Sequence, residues 1–487
     1  MINTFSQQYI DGDCARENID KYCCYPLGKV LKKVQGMKIS EKEIEKLGVK
    51  FAGLEMRTPI GVAPVYAPVG TGQHNLTPEA SAEVLLKHVD AGAGYVYVVG
   101  SNYLPKEKES ELKKRAKKAE ITSKPYANRF LKTGPSNFGG LYYTVSPWGQ
   151  TVEDYNRKFE RNMKTIGALK AKRTENCPII ASISGLGAFS ESFVAAARKA
   201  EESGADLVEV NVGCSLPASL ENAVEYYHEK QFPLIDVGGL VGDNLDIVEQ
   251  IVRDVAKTVS VPIGVKLTPE TGFPRVVGLV SRLKNAGAKY VQTFNFGVAI
   301  LPPDIYKHGK PRWPYLDGNP FVAVCGSWLR TICYKTVAAI AKFVPTIDIA
   351  ASGGLMKPEN VVEVMMLGAR LAQHCTGVLL FGRELLRRDV IFLIEYMKTQ
   401  GYECVEDFVG LGLQYIKPMD QVDFLPSKVV ADVDPKKCSG CGRCTDSICL
   451  ASYMDGLTAR VRTEDCQGCG LCVAACPMGA RRLIRIN

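Results

Sequence analysis

The sequence lacks the features that would assign it to a membrane, secreted or nucleic-acid-binding class. None of its uninterrupted apolar runs reaches the length of a membrane-spanning helix. Its first residues contain neither a basic segment nor an apolar core, so we expect no signal peptide and a cytoplasmic protein. The net charge of +8 is small for 487 residues, and glutamates interrupt the densest basic stretch, residues 106–132. A solvated helical face explains that stretch better than a nucleic-acid-binding surface.

A dinucleotide-binding fingerprint is also missing. No G-x-G-x-x-G follows a predicted strand, and residues 185–190, GLGAFS, break that spacing. We therefore predict that this chain has no nicotinamide-binding domain of its own. With 46% hydrophobic and 23% charged residues, the composition is that of a globular protein, and the length allows two or three domains.

Cysteine, in contrast, is abundant and partly in regular spacing. Eight of the 17 cysteines form two runs, Cys438, Cys441, Cys444 and Cys449, then Cys466, Cys469, Cys472 and Cys476. The second run, followed by Pro477, has the C-x2-C-x2-C-x3-C-P spacing of bacterial two-cluster ferredoxins, in which the fourth cysteine binds the other cluster. We therefore predict single-electron transfer through two [4Fe–4S] clusters. The predicted ligand sets are Cys438, Cys441, Cys444 with Cys476, and Cys466, Cys469, Cys472 with Cys449.

Two details of cysteine usage are less regular. The first run has four residues before Cys449, and Leu450 stands where proline is usual. The other cysteines are scattered, which fits a reducing compartment better than a disulfide framework. Cys14, Cys23 and Cys24 lie before the main repeats, where we favour a helical cap with buried thiols over a metal or partner contact.

From about residue 51 to 397, short apolar runs alternate with amphipathic stretches. The runs predicted as buried parallel strands are 95–99, 178–183, 207–211, 262–267, 290–295, 347–352 and 377–381. The predicted helices include 190–203, 245–258, 273–286, 334–343, 358–367 and 383–398. Repeated βα units in this number predict an α/β fold with a closed (β/α)8 TIM barrel, and an open doubly wound sheet is the alternative.

The alternation also sets the predicted domain boundaries. We expect an N-terminal extension over residues 1–50, the barrel over 51–398, a linker over 399–431 and a two-[4Fe–4S] ferredoxin-like domain over 432–487.

Chemically unusual residues occur where predicted barrel strands end, which is where this fold places its active site. Asn211 and Cys214 follow one strand, and Asn295 ends another. Lys266 lies in an otherwise apolar run, where an ammonium group without a partner would be costly. Its position therefore predicts a ligand or a carboxylate beside it.

Glycines mark two late strand ends, each just before a helix. Gly353-Gly354 and Gly382-Arg383 occupy the positions where backbone N–H groups and helix N-termini bind phosphate in many barrels. Each feature alone has an ordinary explanation as a turn, a cap or an inert thiol. Their combination in one order favours an active site.

That order resembles the dihydroorotate dehydrogenase family, and most of all the pyrimidine-reducing half of dihydropyrimidine dehydrogenases, which joins a two-cluster ferredoxin segment to an FMN barrel. The family's N-x-S-C-P loop is matched by Asn211-Val-Gly213-Cys214-Ser215, and its K-L-T-P by residues 266–269. Its S-G and T-G-G loops are matched by Cys325-Gly326 and Ser352-Gly353-Gly354. The resemblance covers roughly residues 51–487.

The resemblance implies a role for each matched residue. Lys266 would bind the pyrimidine end of the flavin, and Ala63 would face the flavin after the first strand. Backbone groups of the late loops would bind the FMN phosphate, namely Gly326, Gly353, Gly354, Gly382 and Arg383. Asn128, Asn211 and Asn295 would bind the substrate, and Cys214 would be the general acid/base.

Departures from the family pattern concern mainly the substrate side. The family's flavin-side lysine aligns with Val99, its threonine after the strand-end asparagine with Phe296, and its proline after the thiol with Ser215. These changes put dihydroorotate and uracil in doubt as substrates. They favour a less charged cyclic amide or conjugated carbonyl compound.

The leading hypothesis is an FMN-dependent oxidoreductase acting on a C=C or CH–CH bond conjugated to a carbonyl or cyclic amide. Its clusters would exchange electrons with an FAD/NAD(P)H subunit or a ferredoxin, in a homo- or hetero-oligomer. One alternative is an electron-transfer subunit whose barrel is not itself the catalytic site. Another is a flavin-free barrel fused to a ferredoxin.

Overall fold

The computed structural model describes most of the chain from residue 40 onward. The described residues are 40–64, 76–108, 110, 129–132, 140–144, 152–173, 177–185, 190–213, 242, 244–294, 296–312, 320–422, 429–446 and 449–486. Within them the chain divides into two compact units, one ending at Tyr415 and one beginning at Ile416. The predicted linker, 399–431, therefore falls on both sides of that division.

The first unit is built on eight parallel strands; from the second to the eighth, each pairs with the next along the chain, and the eighth pairs with the first. The strands are Ile60–Val62, Val96–Asn102, Ile179–Ser184, Leu207–Asn211, Ile263–Lys266, Tyr290–Gln292, Asp348–Ser352 and Leu371–His374. Between the first two strands, the N–H of Gly94 donates to the carbonyl of Ile60 at 3.0 Å. A Cβ at Gly94 would lie 2.1 Å from the carbonyl oxygen of Thr58, so glycine permits this approach. The predicted (β/α)8 barrel is confirmed.

A helix follows every barrel strand. These helices are Pro78–Asp90, Val152–Lys172, Ser190–Glu202, Leu245–Ala256, Arg275–Ala286, Arg330–Phe343, Pro358–Met366 and Glu384–Gln400. Their amphipathic pattern explains the packing: in Leu245–Ala256, Val248, Ile251, Val252 and Val255 are buried, and Asn244 caps the first turn.

One predicted strand is wrong. Residues 377–381 belong to a short helix, Thr376–Phe381, and the eighth strand is the preceding Leu371–His374. A short apolar run such as GVLLF fits a buried strand and a buried helix equally well by periodicity. Gly382, with φ of +78°, ends this helix rather than a strand.

The barrel interior packs large rings against glycines. The ring of Tyr95 occupies the space beside Gly61, and the ring of Tyr290 occupies the space beside Gly264, where a Cβ would come within 2.2 Å. Phe51, in a hairpin of Val49–Phe51 and Leu54–Met56, contacts Tyr290 with ring centroids 4.8 Å apart. This hairpin closes the amino-terminal end of the barrel, since the N–H of Ala52 donates to Asp348 at the start of the seventh strand.

Insertions after the second and sixth strands form a separate antiparallel sheet of four strands. They are Arg129–Lys132, Gly140–Thr144, Gly297–Ile300 and Phe321–Gly326. Both insertions leave the carboxyl ends of barrel strands, so this sheet belongs to the face where a barrel carries its site. A two-stranded hairpin, Pro303–Asp304 with Lys310–Pro311, extends the second insertion.

The described residues of the second unit form two antiparallel strand pairs, a short α-helix and a 3-10 turn, Met419–Gln421. Val429–Val433 pairs with Arg481–Arg485, and Ser452–Asp455 pairs with Thr458–Val461. The helix is Leu471–Ala475. Among the described residues of both units, no helix combines the length and the apolar character needed to cross a membrane.

Candidate functional site

Lys266 ends the fifth barrel strand and is only 2% exposed. Strand register places it beside Asn211 on one side and Gln292 on the other. The side-chain oxygen of Asn211 accepts the N–H of Gly213 at 3.2 Å, which leaves the amide NH2 as the group that can donate to a ligand. The structure therefore brings the predicted flavin lysine and one predicted substrate asparagine to the same edge of the barrel.

The loop after Asn211 passes very close to the next strand. A Cβ at Gly213 would lie 2.1 Å from the carbonyl oxygen of Leu267. The serine of the family motif could not be placed there without moving one backbone. This close approach explains why glycine replaces serine in the N-x-S-C-P loop of this chain.

A buried carboxylate near Lys266 was not identified from the sequence. Glu209 is 0% exposed, and its carboxylate accepts from Tyr97 Oη at 2.8 Å and from Ser182 Oγ at 2.9 Å. When the side-chain nitrogen of Gln292 faces Glu209, it lies 2.8 Å from both carboxylate oxygens and donates to them. Burial raises the pKa of Glu209, and the nearby charge of Lys266 opposes that rise. An acidic residue in an apolar strand was the sequence signal for this network.

Two predicted phosphate loops converge at one helix start. A Cβ at Gly354 would lie 2.5 Å from the backbone nitrogen of Arg330 and 2.9 Å from the carbonyl oxygen of Gly326. Gly353 and Gly354 both have positive φ, at +124° and +82°. A 3-10 turn, Ser327–Leu329, leads into helix Arg330–Phe343, and the N–H of Arg330 donates to the carbonyl of Ser327. This helical segment begins at Gly326 without a side-chain cap, and glycines at such a start let an anion approach the backbone closely. This glycine cradle, Gly326, Gly353 and Gly354 at Arg330, fits a phosphate group.

The structure changes the interpretation of the last predicted loop. The N–H of Gly382 donates to the carbonyl of Val378 at 2.9 Å, so it closes the short helix and is not a phosphate donor. Arg383 follows it at the start of helix Glu384–Gln400. The backbone that leaves the eighth strand is instead residues 375–377, at the start of Thr376–Phe381. The strand-end assignment of Gly382 and Arg383 is therefore wrong.

A buried histidine joins the last two strand-end loops to the final helix. His374, 0% exposed, lies with Nδ1 2.9 Å from the carbonyl oxygen of Leu355 and Nε2 2.8 Å from Asp389 Oδ2. Burial lowers the pKa of His374, but the contact with Asp389 outweighs it and leaves that pKa above its ordinary value. The backbone carbonyl of His374 also accepts a hydrogen bond from the N–H of Ala63 at 2.9 Å. These bonds hold the backbone next to the glycine cradle.

Three predicted site residues, Asn128, Cys214 and Asn295, lie outside the described residues. Of the altered family positions, Val99 and Phe296 are described and buried, with exposures of 4% and 2%. The carbonyl of Val99 accepts from Asn162 Nδ2 at 2.6 Å. The barrel thus has an uncharged side chain where the family pattern places a lysine.

In the second unit, one cavity is lined by the four cysteines of the first predicted set, Cys438, Cys441, Cys444 and Cys476. Backbone N–H groups point at their sulfurs: Ala459 lies 3.5 Å from Cys438 Sγ, and Ala480 lies 3.3 Å from Cys476 Sγ. The backbone N–H groups of Ala459 and, to a smaller extent, Gly440 lower the pKa of Cys438. Thiolates are the ligands of iron–sulfur clusters, so the residues fit the predicted group.

The second predicted set has the same local design. The N–H of Ala431 lies 3.3 Å from Cys466 Sγ. Burial raises the pKa of Cys472, and Cys466 and Cys449 are among the thiols close enough to contribute. Cys444 of the first run contributes as well, so the exchange of fourth ligands stays a prediction. In both runs glycines with positive φ separate the cysteines, namely Gly440, Gly442, Gly468 and Gly470.

Within the described part of the chain, no group of three or more His, Cys, Asp or Glu side chains is arranged to hold a single metal ion. The eight cysteines of both runs are free thiols. A cubane cluster binds each thiolate to a different iron, so its ligands lie further apart than those of one ion.

Comparison with known proteins agrees with both units. Residues 152–391 match the family model for dihydroorotate dehydrogenase. The barrel is similar to the dihydroorotate dehydrogenase family over these 240 of the 487 residues. Residues 431–477 match the 4Fe-4S dicluster domain, so the second unit is an iron–sulfur domain of the ferredoxin type.

Curated relatives show the same relationship at low identity. The chain is 27% identical over 288 residues to the NAD-dependent dihydropyrimidine dehydrogenase subunit PreA of Escherichia coli (strain K12), covering 58% of this chain and 64% of the relative. It is 28% identical over 238 residues to the dihydroorotate dehydrogenase B (NAD(+)) catalytic subunit of Methanothermobacter thermautotrophicus, covering 49% of this chain and 70% of the relative. The match thus spans less than two thirds of the Escherichia coli protein.

Proposed function

We propose that this chain is an FMN-dependent oxidoreductase acting on a C=C or CH–CH bond conjugated to a carbonyl or cyclic amide. Bound FMN would supply hydride chemistry. The observation that carries the proposal is Lys266, a buried cation beside Asn211 at the carboxyl end of the barrel. Its burial calls for a charge-stabilising role, and the glycine cradle of the neighbouring loops suits the phosphate of the same cofactor.

Each residue contributes a separate task to this reaction. Lys266 would donate to the pyrimidine end of the flavin, and Glu209 would limit the net positive charge around it. Asn211, with Asn128 and Asn295, would orient the amide and carbonyl edges of the substrate. Cys214 would move a proton to or from the substrate carbon opposite the hydride. A thiol suits this task because its ordinary pKa of about 8.5 keeps it protonated near neutral pH.

We propose that the substrate has no charged group beside Val99, the position at which the family pattern has a lysine. Val99 is buried and apolar there, so a substrate carboxylate would lack the counter-charge that the family lysine provides. A neutral cyclic amide does not carry this cost. This supports a dihydropyrimidine-like ring over a carboxylated one.

The proposed electron path leads through two [4Fe–4S] clusters to or from a partner. The partner would be an FAD/NAD(P)H subunit or a ferredoxin, because no dinucleotide fingerprint is present in the sequence. The name of the Escherichia coli relative, an NAD-dependent enzyme subunit, supports the first of these.

Spectroscopy of anaerobically purified protein tests the proposal. We expect the absorbance of bound flavin, FMN on extraction, and about eight irons per chain from two cubanes. After reduction with dithionite and its removal, at least one neutral compound from a panel of cyclic amides and conjugated carbonyl compounds that includes uracil should reoxidise the flavin faster than orotate, which is uracil with an added carboxylate. A flavin-free protein would refute the proposal. If flavin is bound but no cyclic amide or conjugated carbonyl compound reoxidises it, the alternative of an electron-transfer subunit is favoured. An iron content of about four per chain would refute the two-cluster path.

Replacing Gly354 with alanine should weaken FMN binding, because the new Cβ would meet the backbone of Arg330 at 2.5 Å and open the cradle. We expect FMN affinity to fall at least tenfold in fluorescence titrations of the apoprotein. Gly382→Ala is the matched control, since Gly382 also has positive φ but has nothing near an added Cβ. Equal losses in both variants would show that strain, and not the cradle, is responsible.

A further inference from the structure

Arg481 is a buried cation inside the iron–sulfur unit. It is 3% exposed, whereas the side chain of the next residue, Arg482, is 67% exposed and pairs with Asp432 at 2.6 Å. The two arginines begin the strand Arg481–Arg485, where successive side chains point to opposite faces. The same residue type thus occurs once inside the unit and once on its surface.

The contacts of Arg481 are directed at a cluster ligand. Its Nη2 donates to Cys444 Sγ at 3.1 Å, to Ser452 Oγ at 2.9 Å and to the carbonyl of Arg460 at 3.4 Å. Arg481 also lines the cavity of the first cysteine set. Its Nε and Nη1 are buried and have no hydrogen-bond partner among the described residues.

A guanidinium in this setting requires a buried negative charge. Burial of an ion is costly unless an opposite charge and hydrogen bonds compensate for it. No ion pair with a carboxylate is present for Arg481 in the described part of the chain. Asp432 feels the charge of Arg481 but pairs with Arg482. The acidic side chain that the guanidinium contacts directly is Cys444, a predicted cluster ligand.

We infer that Arg481 is a fixed positive charge, held against Cys444 of the first predicted set, that makes the cluster of that set easier to reduce. The inference rests on the proposed two-cluster path. Reduction adds one electron to a cluster, forms or breaks no bond and moves no proton, so the site becomes one unit more negative. A guanidinium that does not titrate stabilises this added charge, most strongly at the set containing Cys444.

A redox titration of the whole protein, followed by the electron paramagnetic resonance of the reduced clusters, tests this inference. In Arg481→Gln we expect the equilibrium constant for reducing the more affected cluster to fall at least tenfold. This fall lowers the reduction potential by about 59 mV for one electron. Arg482→Gln, which removes the same charge from the surface, should change it less than threefold. Arg481→Lys should retain most of the parent value.

Arg481 could instead only join the two strand pairs through Ser452 and Arg460. Then Arg481→Gln would lower thermal stability while both clusters kept the parent potentials, and the inference would be overturned. If Arg481→Gln fails to hold iron, Arg481→Met decides, since it removes the charge and keeps most of the buried side-chain volume. A change of less than threefold in that variant would overturn a charge effect, and a fall of at least tenfold would support it. Fewer than two clusters in the parent protein would refute the two-cluster path without bearing on Arg481.

Discussion

Turnover is expected to fall by about 10²–10⁴ when Cys214 is replaced with alanine, the usual size of a general acid–base contribution. The variant should keep its flavin and iron, and dithionite should still reduce the flavin, because the thiol acts on the substrate proton and not on electrons. Serine at this position should restore little, because a hydroxyl is a much weaker acid than a thiol. Steady-state turnover with the best cyclic amide, beside the rate of flavin reduction, is the measurement.

Cys177→Ala provides the matched control for Cys214. Cys177 is 2% exposed, and burial raises the pKa of its thiol to about 11. It precedes the third barrel strand, Ile179–Ser184, and is therefore at the end of the barrel opposite the proposed site. This variant should show a modest loss of stability and unchanged turnover. If Cys214→Ala also stays within a few-fold of the parent, Cys214 only packs its loop and the proton-transfer role must be abandoned.

Lys266→Ala should weaken FMN binding by about 10–100-fold, since a hydrogen bond from a charged donor contributes roughly 1.5–3 kcal/mol. It should also slow flavin reduction, because the positive charge beside the flavin is lost. Titration of the apoprotein with FMN and stopped-flow reduction measure the two effects. Lys106→Ala is the exposed control, and it should change neither.

Loss of Lys266 also removes the positive charge that acts on the buried Glu209, so a stability effect must be separated from a cofactor effect. The double variant Lys266→Ala with Glu209→Gln removes both charges. We expect it to recover much of the lost thermal stability while FMN binding stays weak. Recovery of FMN binding together with stability would mean that Lys266 serves only to balance Glu209.

How far the sequence predicted the fold depends on the length of each signal. Long amphipathic stretches such as 245–258 were close to the observed helix, Leu245–Ala256, because the helical period repeats several times there. The run 377–381 was misassigned because five apolar residues do not define a period. Because of this misassignment, Gly382 and Arg383 were predicted to follow the last barrel strand. In the structure that strand is Leu371–His374, and it ends eight residues earlier than Gly382.

The site shows the same division. The spacing of the eight cysteines was enough to predict the cluster sets, and the cavity lined by Cys438, Cys441, Cys444 and Cys476 agrees with the first set. The spacing could not reveal Arg481, since a basic residue in a strand beside another one carries no periodic signal. Asn128, Cys214 and Asn295 stay predictions from the resemblance.

Local chemistry was readable in the chain itself: the βα repeats, the cysteine ligands, the lysine in an apolar strand and the missing dinucleotide fingerprint each depend on a few neighbouring residues. The pairing of Glu209 with Tyr97 and Ser182, the meeting of Gly354 with Arg330, and the burial of Arg481 beside Cys444 depend on residues far apart in the chain. Burial and distance between such residues arise only when the strands close into a barrel and the two strand pairs of the iron–sulfur unit pack together. The tertiary structure therefore decided which charges are buried and what lies against them.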